Sequence, residues 1–424
     1  MSGSGGNVSG GASGDVGGGA RAGETSGGAG GAGGAGGAGE AGASSAATAG
    51  AASGETAGAD DGPVTHGAGC VDAVWSTYLR LTDGTLLELV YKIDTVVDDA
   101  ADEPLTGVAS VQDGLGSGCA ALTDGTVKCW LLDTSKPGAG QLGNGSTAAP
   151  TETDEPFRAT PVVVEGGAPL SNIRAMADGV VSPASCAITN DGQLYCWGDL
   201  TWIVGGGTTI QTGTARLVTI DGTSPLTGVI RVALGGRQAC VLRHGASDNE
   251  VWCWGYGASG ELGQGNDSDQ PYPVKVGGLV APSAIAIAAA YDLQGPTVVD
   301  ATACAVVEGG QVRCWGSNME GALGSNGTTT DAGVLSSVVD EASAPLAGVS
   351  ELEAGFGSFA ALRTDGSLWL WGHENRPYAT RFATEVAAIG YGPETQNFGP
   401  FYLTRDGAFH IGEQTVPIVC PADR

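Results

Sequence analysis

Residues 119–130 read CAALTDGTVKCW, and variants return as CAITNDGQLYCW at 186–197, CVLRHGASDNEVWCW at 240–254 and CAVVEGGQVRCW at 304–315. Each decodes as a β-hairpin. Cys119-Ala-Ala-Leu is a short apolar strand, Asp124-Gly125 a tight turn, and Thr126 to Trp130 the returning strand. Asp-Gly between β-forming runs is among the strongest hairpin signals. With a three-residue loop and Gly125 in the left-handed conformation, Leu122 faces Thr126 and Cys119 faces Cys129. Directly opposed residues on antiparallel strands lie close enough for the short Cα separation of a disulfide.

The phrase also occurs without cysteine. SFAALRTDGSLWLWG (358–372) places Ala360 and Leu370 at the two cysteine positions, FYLTRDGAFHIG (401–412) places Phe401 and Ile411 there, and YLRLTDGTLLEL (78–89) places Tyr78 and Glu88. Cysteine is absent from both ends or from neither, which is the behaviour of a disulfide. Seven hairpins result, near 75–90, 117–131, 184–198, 238–255, 302–316, 358–372 and 399–412. A strand-like run precedes the hairpin, as in PLTGVIRVALGG (225–236), and another follows it, as in YPVKVGG (272–278). Each unit therefore holds four short strands, the pattern of a β-propeller blade. The expected fold is all-β: a seven-bladed β-propeller of four-stranded antiparallel blades over residues 67–424.

Residues 1–66 are different. The chain has 75 Gly, of which 26 fall in its first 69 residues, and Met1 to His66 contain no Phe, Trp, Tyr, Leu or Ile. Such a stretch buries too little apolar surface to offset its chain entropy, so a disordered Gly/Ala/Ser-rich tether is expected there. The 424 residues carry a net charge of −28, with 46 acidic against 18 basic side chains. Phosphate backbones repel such a chain, so nucleic acid is excluded as a partner. No window holds the 18 apolar residues of a membrane helix, and no membrane insertion is expected. No signal-peptide segment follows Met1, yet the cysteines argue for an oxidising compartment. The expectation is an exported protein whose start lies upstream or was trimmed, held on a Gly/Ala stalk.

The units resemble repeats of the regulator of chromosome condensation type, whose pattern runs roughly G-x-x-H-S-x-A-L-x-x-D-G-x-V-x-x-W-G-x-N-x-x-G-Q-L-G-x-G. The resemblance is clearest in CWGYGASGELGQGNDSDQPYPVKV (253–276), CWGSNMEGALGSNG (314–327) and AGQLGNG (139–145), and it spans about 67–424. The family's His-Ser is replaced here by SGC, ASC, QAC and TAC. Resemblance implies the propeller. It does not carry over the founder's action on a small GTPase, because function resides in sites rather than folds. The sialidase-type box Ser-x-Asp-x-Gly-x-x-Trp does not fit, since Asp124 and Gly125 are adjacent.

Eight of the ten cysteines form the hairpin pairs Cys119–Cys129, Cys186–Cys196, Cys240–Cys253 and Cys304–Cys314; Cys70 and Cys420 begin the first blade and end the last. A ring brings those two ends together, so a Cys70–Cys420 bond is expected. Closing a loop of some 350 residues stabilises by roughly 5–6 kcal/mol in the chain-entropy model, against at most about 3 for each hairpin bond. No Cys-x-x-Cys occurs, and no metal or cofactor is expected. Trp130, Trp197, Trp254, Trp315 and Trp371 close their hairpins as packing between blades. His244 and His410 fall in or beside hairpin turns as surface residues. VVDDAADEP (96–104) reads as a solvated acidic loop.

Recognition falls to loops on a rigid scaffold. The long links 132–158, 198–213, 255–271 and 316–332, with AYDLQGPTVVDA (290–301), share one face. Trp202, Tyr256, Asp267, Asp269, Tyr291 and Asp292 are the candidate contacts on it. Asp267 and Asp269 offer oxygens to calcium, although Asp/Asn-rich turns commonly satisfy their own backbone. The expected function is a non-enzymatic, monomeric recognition scaffold, extracellular or on the cell envelope, that binds a protein or glycan. The alternative is a propeller hydrolase or lyase acting on a polysaccharide, with acidic residues near the central channel.

Overall fold

The computed structural model describes residues 70–418, except 76, 90–93, 115, 133–139, 149–156, 180–181, 202, 204–210, 292–297, 328–332, 373–375 and 392–398. Seven sheets follow one another along the chain. Blade 1 comprises Val71–Trp75, Tyr78–Leu81, Leu86–Glu88 and Asp94–Thr95; blade 2 comprises Val108–Asp113, Ser117–Leu122, Val127–Leu131 and Arg158–Pro161. Blades 3 to 7 begin at Ile173–Met176, Val229–Leu234, Ala284–Tyr291, Val349–Ala354 and Val386–Gly390. They end at Gln211–Leu217, Gln270–Lys275, Ser336–Ser337, Arg376–Ala383 and Gln414–Thr415. The first strands of neighbouring blades adjoin, including Val71–Trp75 with Val386–Gly390, so the ring closes between blades 7 and 1.

The hairpin register matches the sequence expectation. Cys119 faces Cys129, Gly125 has φ +82°, and the Leu122 amide donates to Thr126 O at 2.8 Å. The cysteine-free blades keep the same pairing, Ala360 with Leu370, Phe401 with Ile411 and Tyr78 with Glu88. The four hairpin disulfides have Cα separations of 4.0–4.1 Å. That is the close approach of a non-hydrogen-bonded antiparallel pair. Cys70 is also disulfide-bonded, and no described cysteine is free. Its expected partner, Cys420, lies outside the described residues.

Seven apolar cores fill the seven seams between blades. Strand alternation decides what each seam receives, since successive side chains point to opposite faces. In Cys253-Trp254 the sulfur therefore joins the core shared with blade 5 and the indole the core shared with blade 3. Cys196-Trp197 and Cys314-Trp315 divide in the same way. All five of these tryptophans are fully buried, as packing between blades requires.

Two expectations about the outer rim are corrected. The acidic run VVDDAADEP is not merely a solvated loop. Val97–Asp98 and Glu103–Pro104 form a small hairpin whose first strand pairs in parallel with Arg158–Pro161, giving blade 2 a six-stranded sheet. Ion pairs from Asp98 to Lys128 and from Asp102 to Arg158 hold it there. His410, expected at the surface, lies within Phe409–Ile411, half-buried and stacked on Tyr402 at 4.6 Å. The expected pairing of Phe401 with Ile411 is kept, and it sets His410 on the returning strand directly opposite Tyr402, where the imidazole meets an aromatic ring.

Because the Ala360–Leu370 pair builds a blade without sulfur, the fold does not depend on any single hairpin bond. The double variant Cys240→Ala/Cys253→Ala is expected to keep the wild-type circular dichroism spectrum and lose up to about 3 kcal/mol in denaturant unfolding.

Candidate functional site: the loop face

In each antiparallel blade the first-to-second and third-to-fourth links emerge on one face. The Asp-Gly turns and the blade-to-blade links occupy the other. Three long third-to-fourth links contain a Gly-x-Leu-Gly turn: Gly140 to Gly143, Gly260 to Gly263 and Gly321 to Gly324. In each, the second glycine's amide donates to the first glycine's carbonyl at 2.9–3.0 Å. The turn then grips the next blade. Trp197 Nε1 donates to Gln141 O at 3.0 Å, Trp315 Nε1 to Glu261 O at 2.9 Å, and Trp371 Nε1 to Ala322 O at 3.0 Å. Blade 3 lacks the motif, yet Ile203 O takes the Trp254 N–H at 2.6 Å.

Glycine is required at the turn's last position for two reasons. Gly263 has φ +65°, and a Cβ there would stand 2.9 Å from Val276 and 3.0 Å from Trp315 Nε1. A side chain would be strained by the backbone and would break the indole contact. The Gly-rich half of the repeat is thus a clasp that ties each long link to the following blade.

Tyr256, half-buried, sits at the root of the blade 4 link. Its amide donates to Arg237 O at 3.0 Å, and the Arg237 guanidinium lies 5.4 Å from its ring centroid. Arg237 comes from the first-to-second link of the same blade, so two loops meet in one cation–π contact. Asp269 is exposed and its Oδ1 accepts the Gly257 amide at 3.0 Å, bracing the same link. Asp267 is exposed beside it. Tyr291 ends the long strand Ala284–Tyr291, which pairs with Val298–Val307. Within the stretch read as a loop at 290–301, the described residues 290–291 and 298–301 are strand. Trp202 and Asp292 lie outside the described residues. Of the six candidates, Tyr256, Asp267 and Asp269 share the blade 4 link. Arg237 was missed, because a lone Arg before the QAC of a hairpin carries no signal in sequence.

Carboxylates with a displaced pKa gather on the opposite face. Hydrogen bonds from Thr126 hold Asp124 below the ordinary range, Ser367 does so for Asp365 and Thr404 for Asp406. The backbone amides of Ser224 and Thr223 lower Asp221, and the Lys275 ammonium lowers Glu250. Each shift favours the ionised form, and each group braces a turn or hairpin end. Among the described residues no group of three or more His, Cys, Asp or Glu is placed to hold a metal.

The pattern for the Regulator of chromosome condensation (RCC1) repeat matches residues 248–293, from the third strand of blade 4 through its clasp and outer strand to the first strand of blade 5. Residues 248–293 thus match one RCC1 repeat. Among curated proteins, the Arabidopsis thaliana Ultraviolet-B receptor UVR8 is 30% identical over 200 residues, covering 44% of this chain and 38% of that protein. The human E3 ubiquitin-protein ligase HERC2 is 28% identical over 188 residues, 44% of this chain but 4% of its own length. The chain thus spans well under half the length of either relative. Solved structures share the fold of the RCC1-type propeller. Yeast RCC1 (Prp20), seen bound to Kap60, gives a TM-score of 0.56 at 16% identity, covering 76% of this chain and 73% of that one. Human WBSCR16 gives 0.54 at 17% identity, covering 76% and 79%.

Two outcomes test this geometry. Trp197→Phe strands a buried carbonyl, whereas Trp130→Phe removes an indole N–H that has no acceptor among the described residues. Trp197→Phe is expected to cost about 1–3 kcal/mol more in denaturant unfolding. The lowered turn carboxylates stabilise the fold above the ordinary Asp pKa of about 3.9, and that contribution disappears as pH falls through their folded values. The melting temperature is therefore expected to hold steady from neutrality to about pH 5 and to drop below about pH 4.

Proposed function

We propose that this RCC1-type propeller is a non-enzymatic recognition scaffold, displayed outside the cell or on its envelope, that binds a protein or glycan through the loop face. The carrying observation is the clasp. The Gly-x-Leu-Gly turns, and Ile203 in blade 3, are fixed by buried indole-to-carbonyl hydrogen bonds, and a loop surface built on fixed turns loses little entropy on binding. The paired cysteines support the oxidising location. The charge of −28 argues against a nucleic-acid partner.

The hydrolase or lyase alternative requires a carboxylic acid with its pKa raised near the channel. The described carboxylates with displaced pKa are all lowered, and they brace turns away from the loop face. That pattern supports the binder.

The test is Arg237→Ala combined with Tyr256→Ala, compared with Val280→Glu, which alters an exposed side chain in a blade-to-blade link on the opposite face. With melting temperatures matched, the loop-face variant is expected to lose at least tenfold in partner capture from extracellular material, and the control to lose none. Equal capture by both would overturn the assignment of the binding face.

A further inference from the structure

The seven asparagines among the described residues fall into two groups. Four spend the side-chain amide on the frame. Asn172 Nδ2 donates to Asp191 Oδ1 at 3.3 Å, Asn190 Nδ2 to Asn172 O at 3.1 Å, Asn249 Nδ2 to Pro282 O at 3.2 Å and Asn318 Nδ2 to Gly327 O at 3.2 Å. None of these four has Ser or Thr two residues further on.

The other three do. NGS (144–146), NDS (266–268) and NGT (326–328) stand on the third-to-fourth links of blades 2, 4 and 5, each starting within three residues of a clasp turn. Thr328 lies outside the described residues, whereas NGS and NDS are described in full and exposed at every position. The turn accounts for the asparagines but not for the hydroxyls. Asn144 Oδ1 accepts the Ser146 amide at 3.1 Å, and Asn266 Oδ1 accepts the Ser268 amide at 3.0 Å. That bond goes to a backbone N–H, which any residue except proline supplies. Ser146 Oγ adds one local contact, accepting the Ala148 amide at 3.1 Å. Ser268 Oγ makes no such bond among the described residues. Asn266 Nδ2 reaches Gln264 O, 3.4 Å away within its own link, so the amide is not committed to another blade.

We propose that Asn144 and Asn266 are glycosylation sites that carry N-linked oligosaccharides on the loop face. That chemistry asks for an Asn amide, a hydroxyl two residues on, no proline between them and a surface loop with room for a bulky chain. Room is present at Asn266, since a Cβ on the adjoining Gly265 would meet nothing within 4 Å. The donor is an oligosaccharide joined through diphosphate to a polyisoprenol lipid. Asn Nδ2 bonds to the sugar C1, and the bond from C1 to the diphosphate oxygen breaks. The lipid diphosphate leaves with that electron pair, and one Nδ2 proton is released to it. The assignment rests on the reading of the chain as exported, because this acceptor pattern marks surface loops of secreted proteins. One sugar stands on the link that also carries Tyr256, so a partner of this face meets carbohydrate as well as protein.

The test takes the full chain from its source cells and from their medium. After reduction and trypsin digestion, a peptide amidase in ¹⁸O-water converts a glycosylated Asn to labelled Asp. Peptide 244–275 holds Asn249 together with Asn266, and peptide 129–158 holds Asn144. Label is expected at Asn144 and Asn266 and not at Asn249. A digest without the amidase corrects for spontaneous hydrolysis at Asn144-Gly145. Ser268→Ala is expected to abolish the label at Asn266 while Asn144 keeps it, and Ser268→Thr to retain both.

Unlabelled Asn144 and Asn266 in the chain from the medium overturn the proposal, as does label at Asn266 that survives Ser268→Ala. Mapping of the unreduced chain separates this failure from that of the export reading. Bare asparagines on a secreted chain with Cys119 bonded to Cys129 would discard the sugars alone. A chain held inside the cells with free thiols would discard both.

Discussion

Every blade is a thin sheet with two apolar faces, and neither face can be covered by its own residues. The ring exists because each seam packs one blade's apolar face against the next, most often a hairpin's paired sulfurs against the next blade's indole. Four consecutive seams, from blade 2 through blade 6, use that combination. The closing seam does not. There Leu79 and Leu81 of blade 1 pack against Phe401, Leu403 and Phe409 of blade 7, and the disulfide-bonded Cys70 joins the same core. Closure is thus a conventional apolar contact made between the two ends of a long chain, which is where covalent reinforcement is most effective.

The hairpins, their register and the number of blades were legible because all three depend on local signals. Asp-Gly fixes the turn, and a period-two strand then dictates which residues oppose each other. Paired presence of cysteine at 119 and 129, matched by paired absence at 360 and 370, came from the same register. What sequence reading missed is non-local. Trp315 and the Glu261 carbonyl are 54 residues apart and in different blades, so no window shows that the Gly-x-Leu-Gly turn serves the following blade's tryptophan. The rim hairpin at 97–104 was hidden for another reason. Asp, Glu and Pro are poor strand formers. They become strand here because a distant edge, Arg158–Pro161, offers pairing and Lys128 and Arg158 offer charge.

The loop face combines rigidity with chemical variety. Inner positions bind blade to blade by polar contacts as well as apolar ones. Gln112 Nε2 donates to Ala184 O and its Oε1 accepts the Cys186 amide, both at 3.0 Å, so one buried side chain stitches blade 2 to blade 3. Ser358 and Tyr391 do the same between blades 6 and 7 at 2.9 Å. With the frame locked in this way, exposed link positions outside the clasp turns vary from blade to blade while the ring contacts stay the same. That separation of frame from surface is what lets these repeats carry link sequences as different as those of blades 3 and 5.

The rim hairpin on blade 2 has a counterpart at other outer strands. Val164 bridges in parallel to Ala215 of blade 3, Asp340 bridges to Ala379 of blade 6, and the outer strand of blade 4 carries Pro271 and Pro273. Open sheet margins are templates that recruit other chains into cross-β stacks, and covering strands or proline block that recruitment. A molecule guarded in this manner tolerates crowding. Many copies could stand side by side at high density without knitting into fibrils.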